Sequence, residues 1–328
     1  MDDLCARAVA ILRHNDRGGY SVPTDGLYPF QWNWDAGFAA MGYGCFDEPR
    51  AWQELARLLE GQWPDGMVPH IVFHREDPRY FPGPEVWGTA REPRTSGITQ
   101  PPILAVCVRR LLERAQDRAA AEAAVRSLFP KLLAYHHWYH GARDPENTGL
   151  VALYHPWETG MDNSPAWNGP LSRVPVDPLP PYERRDTGHV DASQRPRRAE
   201  YDRYLTLVYR FRARAWEPQA LYAKTPFRIT DVGVNSILVR ADRDLLALAK
   251  ELGIDTGRDE LEGWIARGHA ALQGLWSKAA GGYRARDQRT GEVLAVATSA
   301  SFLPLFARVA PPERTAALCA TLERWASA

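Results

Sequence analysis

The chain reads as a mostly helical protein, and three features predict it. Apolar residues recur at helical spacing in nine segments, near 2–14, 35–45, 48–61, 101–116, 119–140, 197–216, 235–252, 259–277 and 311–325. Helix-starting and helix-ending residues stand where several of these segments begin and end. Between them run three long connections, 15–34, 62–100 and 141–196, rich in Pro, Gly and aromatics. Loops of that length in a compact domain are usually functional or disordered. A chain of 328 residues can bury a substantial core, and one domain over 1–328 is the expectation.

The elements follow in order. The first helix, within MDDLCARAVAILRHND, opens on acids and reaches Arg13 after a short apolar run, which is not the basic start and longer apolar core of a signal peptide. In the second, Gly42-Tyr43-Gly44 is a fragment of a GxG pattern without a preceding strand, so nucleotide binding is not indicated. Asp47-Glu48-Pro49 precede AWQELARLLE and Gly61 follows it, acid and proline at the start and glycine past the end. His136, His137 and His140 sit at the end of a Trp- and Tyr-rich helix and read as packing or capping residues. Gly253 closes ADRDLLALAKEL. The exception to helix is GGYRARDQRTGEVLAVA, where Tyr283, Val293 and Val296 flank an Arg289-Thr290-Gly291 turn and suggest a small β-hairpin.

Composition excludes several partners. Lys plus Arg equals Asp plus Glu at 40 each, so no net field draws the chain to nucleic acid or an anionic membrane. No stretch approaches the ~20 apolar residues of a membrane span. Cys5, Cys45, Cys107 and Cys319 are scattered and read as reduced thiols, without zinc spacing or a disulfide framework. His70 and His74, with Glu76 nearby, have HxxxH spacing but no secure helix to align both rings, so no metal is expected. A soluble, cytoplasmic protein without a cofactor is the simplest reading, and oligomeric state is left open.

The loops carry the chemistry. The first two hold YPFQWNWD, QWPDGMVPHIVF and YFPGPEVWG, far more ring-bearing than disordered segments. The last part of the third, VPVDPLPPYERRDTGHVDASQRPRR, is polar and Pro-rich and reads as a mobile flap. Trp32, Trp34, Trp87, Trp157 and Trp167 read either as core or as one aromatic wall, and their clustering in loops favours the wall. A sugar ring offers C–H faces that stack on indole and hydroxyls that pair with Asp, Gln, Asn or Arg. A small carbohydrate is therefore the expected ligand.

Five blocks extend this reading: YPFQWNWD (28–35), QWPDGMVPH (62–70), SGITQPP (96–102), WETGMDNS (157–164) and YDRYL (201–205). In that order they resemble glycoside hydrolase family 63, and most closely its bacterial mannosylglycerate and glucosylglycerate hydrolases. The resemblance runs from about residue 20 to the end of the chain and thins after Asp231. It implies an (α/α)6 toroid, six helical hairpins in a ring with the site at one mouth, and hydrolysis of a small α-glycoside with inversion at the anomeric carbon.

Inversion needs a carboxylic acid to protonate the leaving oxygen and a carboxylate to activate water, roughly 6.5–9.5 Å apart. The resemblance assigns the acid to Asp162. A partly apolar setting beside Trp157 and Trp167, with Glu158 or another carboxylate nearby, would keep Asp162 protonated, while Asn163 and Ser164 fix the turn. Asp35 suits sugar hydroxyls while Trp32 and Trp34 stack on the ring; it also suits the N-cap of AGFAAMGYG. The resemblance adds Gln100, Arg198 and Tyr204 to the sugar subsite, Tyr28 belongs to the same wall, and Tyr80 would approach the leaving glycerate. The family's catalytic base is a Glu after a Trp-rich block near the far end of the barrel. This sequence stops at LERWASA before such a block, and Glu313 and Glu323 lie in an ordinary amphipathic helix. The implied barrel is thus truncated at its C-terminus, with sugar binding without turnover as the alternative function. A sugar epimerase on a similar barrel would need a His pair in the loops, which the sequence does not offer.

Overall fold

The computed structural model describes residues 3–327 except 187–190, 192 and 194. Its helices are α1 (Asp3–Asn15), α2 (Asn33–Tyr43), α3 (Glu48–Leu59), α4 (Pro84–Trp87), α5 (Leu104–Arg114), α6 (Arg118–Ala142), α7 (Asn168–Ser172), α8 (Arg198–Arg212), α9 (Pro218–Lys224), α10 (Val232–Glu251), α11 (Arg258–Leu272), α12 (Leu303–Phe306) and α13 (Pro312–Ala326). All nine expected helical segments are present, with shifts of a few residues at their ends.

Short connections make helical hairpins of α2 with α3, α5 with α6 and α10 with α11. Local chemistry sets their ends. Asp47 accepts the Arg50 N–H at 3.2 Å at the start of α3, Asp117 accepts the Ala120 N–H at 3.0 Å at the start of α6, and Asp231 accepts the Val234 N–H at 2.8 Å at the start of α10. Gly253 takes the left-handed φ of +66° that ends α10. Burial is deepest along α10, which packs on α5, α6, α11 and α12. No helix among the described residues is long and apolar enough to cross a membrane. Gly42 and Gly44 are packing positions, where a Cβ would meet Leu12 at 2.8 Å and Leu111 at 2.4 Å.

The long loops contain sheet that periodicity does not reveal. Strands β1 (Gln31–Trp32), β2 (Ile71–Phe73) and β3 (Arg94–Thr95) form an antiparallel sheet, pairing Trp32 with Ile71 and Val72 with Thr95. This sheet ties the first loop to the second and leads directly into α2. Further along, β4 (Ile229–Thr230) pairs with β7 (Arg286–Asp287), and β5 (Trp276–Ser277) with β6 (Gly282–Tyr283). The expected hairpin is correspondingly reduced. The Arg289-Thr290-Gly291 turn exists, with Gly291 at φ +76°, but its arms meet in a single Arg286–Val293 bridge and Val296 is exposed. The arm at Arg286 gives its ladder to β4 instead.

Candidate active site

The loops enclose a cavity of about 370 Å³, within the ~300–1,000 Å³ typical of small-ligand sites. Of the residues expected there, Tyr28, Trp32, Trp34, Asp35, Tyr80, Gln100, Trp157 and Asp162 line it. The wall is built ring against ring. Tyr28 meets Trp32 edge-on at 5.2 Å, Trp32 meets Tyr80 at 5.7 Å, and His70 stacks on Trp157 at 6.2 Å. Trp87 and Trp167 belong to the core, at 0% and 2% exposure.

Asp35 lies in the first turn of α2, whose N-cap is Trp32. It is therefore not the cap, and it lines the cavity. Burial pushes its pKa up to about 6, opposed only by its own N–H. Gln100 stands alongside: its Oε1 accepts the Trp34 N–H at 3.2 Å, and its carbonyl accepts the Tyr139 hydroxyl at 2.6 Å.

Asp162 ends a tightly built loop. The segment Pro156–Thr159 is a short 3-10 helix closed by Gly160 at φ +69°, where a Cβ would strike the Trp34 ring at 2.5 Å. Only glycine allows both the turn and that contact. Trp167 Nε1 donates to the Met161 carbonyl at 2.9 Å, and Ser164 Oγ accepts the Ala166 N–H at 3.3 Å, so Ser164 shapes the turn as expected. Burial raises the pKa of Asp162; its own N–H and Arg195 oppose the rise, and Asp186 adds to it.

Residues 28–328 match the profile of the mannosylglycerate hydrolase MGH1-like glycoside hydrolase domain. The chain belongs to that glycoside hydrolase family. It is 58% identical over 316 residues to mannosylglycerate hydrolase MGH1 of Selaginella moellendorffii, covering 96% of this chain and 65% of that protein. To the mannosylglycerate hydrolase of Thermus thermophilus it is 54% identical over 322 residues, covering 97% of this chain and 77% of that one. The structure superposes on that of a family 63 mannosylglycerate hydrolase of Thermus thermophilus in complex with Tris and D-glycerate with a TM-score of 0.96 at 54% identity, over 99% of this chain and 78% of that chain. A fold-level likeness, TM-score 0.52 at 13% identity, extends to neutral trehalase of Saccharomyces cerevisiae. The architecture is accordingly that of the helical toroid. The chain spans 65% of the length of its Selaginella relatives.

In this glycoside hydrolase family member, three expected residues stand elsewhere. Glu158 does not face Asp162. It is fully buried, held by Arg143 at 2.5 and 3.1 Å, and accepts the Tyr154 N–H at 2.8 Å. The carboxylate that raises Asp162 is Asp186 instead. Arg198 points outward, its guanidinium 4.1 Å over the Tyr182 ring and its Nε donating to Asp202 at 3.3 Å. Tyr204 lies behind the wall, 2% exposed, and donates its hydroxyl to the Asp162 backbone carbonyl at 3.0 Å.

Three residues before each of these two, Arg195 and Tyr201 do line the cavity. Arg195 donates to Asp186 at 2.9 Å and to the Tyr28 hydroxyl at 3.2 Å. Burial alone would lower its pKa, but these partners hold it above the ordinary arginine value. Asp186, bridged by Arg184 and Arg195, is held below the usual carboxylate range although burial opposes this. Residues on both flanks of the expected flap therefore line the cavity; its middle, 187–190, 192 and 194, lies outside the described residues. The YDRY repeat of rings at i and i+3 is the signal the sequence offers, and it does not tell which ring faces the cavity.

The histidines singled out in the sequence are held by neighbouring side chains. His70 Nδ1 lies 3.3 Å from Ser96 Oγ, and burial lowers its pKa to about 3. His74 Nε2 lies 2.8 Å from Gln31 Oε1. His136 and His140 both contact Asp242, at 2.6 and 3.1 Å, and His137 meets the Trp264 ring at 4.8 Å. Packing describes them, with a buried acid that the sequence does not reveal.

Proposed function

We propose that this chain hydrolyses, with inversion, a small α-glycoside of glycerate, mannosylglycerate or glucosylglycerate, with Asp162 as general acid. The observation that carries this reading is a carboxylic acid with a raised pKa at the edge of a cavity walled by Trp32, Trp34, Trp157 and Tyr28. The ligands named for the Thermus structures, D-glycerate in one and glucose in another, support the two halves of such a substrate.

The residues divide the work by chemistry. Trp32 and Trp34 offer faces for the sugar's C–H surface. Asp35, ionised above about pH 6, accepts hydrogen bonds from its hydroxyls, and Gln100 donates to them. Arg195, already shared with Asp186, gives an anionic aglycone a permanent cation, with Tyr80 and Tyr201 beside it. Asp162 holds its proton through burial and delivers it to the leaving oxygen. Unpaired, exposed Cys5, Cys45 and Cys319 suit a reducing, cytoplasmic setting.

A second reading is binding without turnover. Among the described residues, the carboxylates lining the cavity are Asp35, Asp162 and Asp186. Asp186 is paired with two arginines, so among the described residues lining the cavity Asp35 is the carboxylate left for activating water if Asp162 is the acid. Calorimetry with both glycosides and anomer-resolved NMR separate the readings. An α-glycoside converted first to the β-sugar supports inversion, whereas binding with no product supports the second. Asp162→Asn should lower turnover by roughly 10²–10⁴-fold with affinity unchanged; full turnover in that variant would exclude Asp162 as the acid.

A further inference from the structure

Tyr204 is tied to the acid-bearing loop at both of that loop's ends. Its hydroxyl donates to the backbone carbonyl of Asp162 at 3.0 Å. Its own carbonyl accepts from His155 Nε2 at 3.1 Å, and His155 Nδ1 accepts the Trp157 N–H at 3.1 Å. That pair of bonds fixes His155 as the neutral tautomer with its proton on Nε2, and burial keeps it neutral by lowering its pKa to about 3. The Tyr204 ring packs on Trp157 at 5.5 Å and on His155 at 5.6 Å, and Tyr204 does not line the cavity.

We infer that Tyr204 is the positioning residue of Asp162, stapling the loop 155–162 to α8 so that the acid's carboxyl is held in the cavity wall. This rests on Asp162 being the acid. The physical reason is that the Tyr204 hydroxyl holds the backbone of Asp162 itself, whereas the neighbouring bonds, Met161 N–H to Thr159 Oγ1 at 2.8 Å and Ser164 N–H to the Met161 carbonyl at 3.0 Å, hold the residues beside it. The loop's first half is anchored through Glu158 and Arg143, and its second half by the Trp167 bond to Met161 and the Tyr204 bond to Asp162. Loss of the hydroxyl frees the Asp162 carbonyl, the turn relaxes toward water and toward Arg195, and the ionised carboxylate gains solvation. Among the described residues, the charged groups that act on Asp162 are Arg195 and Asp186, both from the segment before α8, and neither is altered by the change.

The test is carboxyl-carbon NMR of the full chain grown with aspartate carrying carbon-13 at its side-chain carboxyl, the Asp162 signal being identified by its loss in Asp162→Asn. Tyr204→Phe keeps the ring and its packing. The expected result is that wild-type Asp162 titrates above the ordinary carboxylate range, and that Tyr204→Phe lowers its proton affinity roughly tenfold. The affinity for mannosylglycerate or glucosylglycerate, whichever the wild type binds, stays within about twofold by calorimetry. Tyr201→Phe should do the reverse, leaving the titration alone and weakening binding. An Asp162 titration in Tyr204→Phe that coincides with wild type overturns the positioning role, whatever happens to affinity. If wild-type Asp162 titrates as an ordinary carboxylate, the acid assignment itself falls, and that result is read from the wild-type curve alone.

Discussion

Asp35 and Asp162 are both carboxyls in a wall of rings, and both are raised by burial, yet their surroundings give them different work. Asp162 has Arg195 and Asp186 pulling in opposite directions, whereas Asp35 has no charged neighbour to offset its desolvation. The folded pKa of Asp35, about 6 against an ordinary 3.8, means that folding favours its protonated form. The penalty is absent below about pH 4 and grows as pH rises through 6, where it approaches about 3 kcal/mol. Asp35→Asn cannot ionise. Its stability relative to wild type should therefore increase between pH 4 and pH 7, measured as the difference between urea midpoints; a pH-independent difference would mean that Asp35 is solvated. Asp231, also raised to about 6, is present in both proteins and cancels.

Elements differ in how plainly the sequence announces them. The apolar faces of α3 and α5 repeat at the helical period because each buries one side, so their existence and approximate ends can be read directly. The sheet of β1, β2 and β3 cannot, because strands of two or three residues hold no period to detect. The quoted motifs place Asp162, Asp35 and Gln100 at the cavity, where the structure has them, while at the start of α8 the choice slips by one helical turn. Tyr201 and Tyr204 share a helix face and are both buried, so only the depth of the cavity along the helix axis distinguishes them. Glu158 misleads for a related reason: an acid beside an acid looks reactive until its cation is found, and Arg143 comes from the end of α6. The pair makes a second prediction. Arg143→Met leaves Glu158 buried without its cation and should cost about 3–5 kcal/mol in chemical denaturation. Adding Glu158→Gln should restore part of it, whereas additive losses would show that the two side chains act separately.

Across the whole molecule, burial is unevenly shared. Helix α10 buries fourteen of its residues, from Val232 to Ala249, while α13 buries only Leu318 and leaves Leu322 and Trp325 about half exposed. What holds α13 is a smaller apolar cluster with Leu272, Leu275 and Tyr283, together with Arg314 bonded to Gln273. Local opening free energies should follow this distribution. Hydrogen exchange is expected to be slowest in α10 and fastest, among the longer helices, in α13 and α1, whose only buried described residue is Asn15. Uniform protection across α10 and α13 would show instead that the chain opens as one unit. The loop 155–162, held by Arg143 at the end of α6 and by Tyr204 of α8, is expected to exchange with the better protected part.

Gln100, in the cavity wall, has its side-chain oxygen engaged by the Trp34 N–H, which leaves its amide group to act as a donor. Asp35, once ionised, can only receive. On the proposed reading, two neighbouring sugar hydroxyls held between them would be oriented head to tail, the first taking a hydrogen from the amide and the last surrendering one to the carboxylate. The grip has a direction, and a group that can only accept or only donate breaks the sequence at its own position. Acidification through about pH 6 gives Asp35 a hydrogen to donate as well as an oxygen to accept with, so the direction of the last link is no longer enforced.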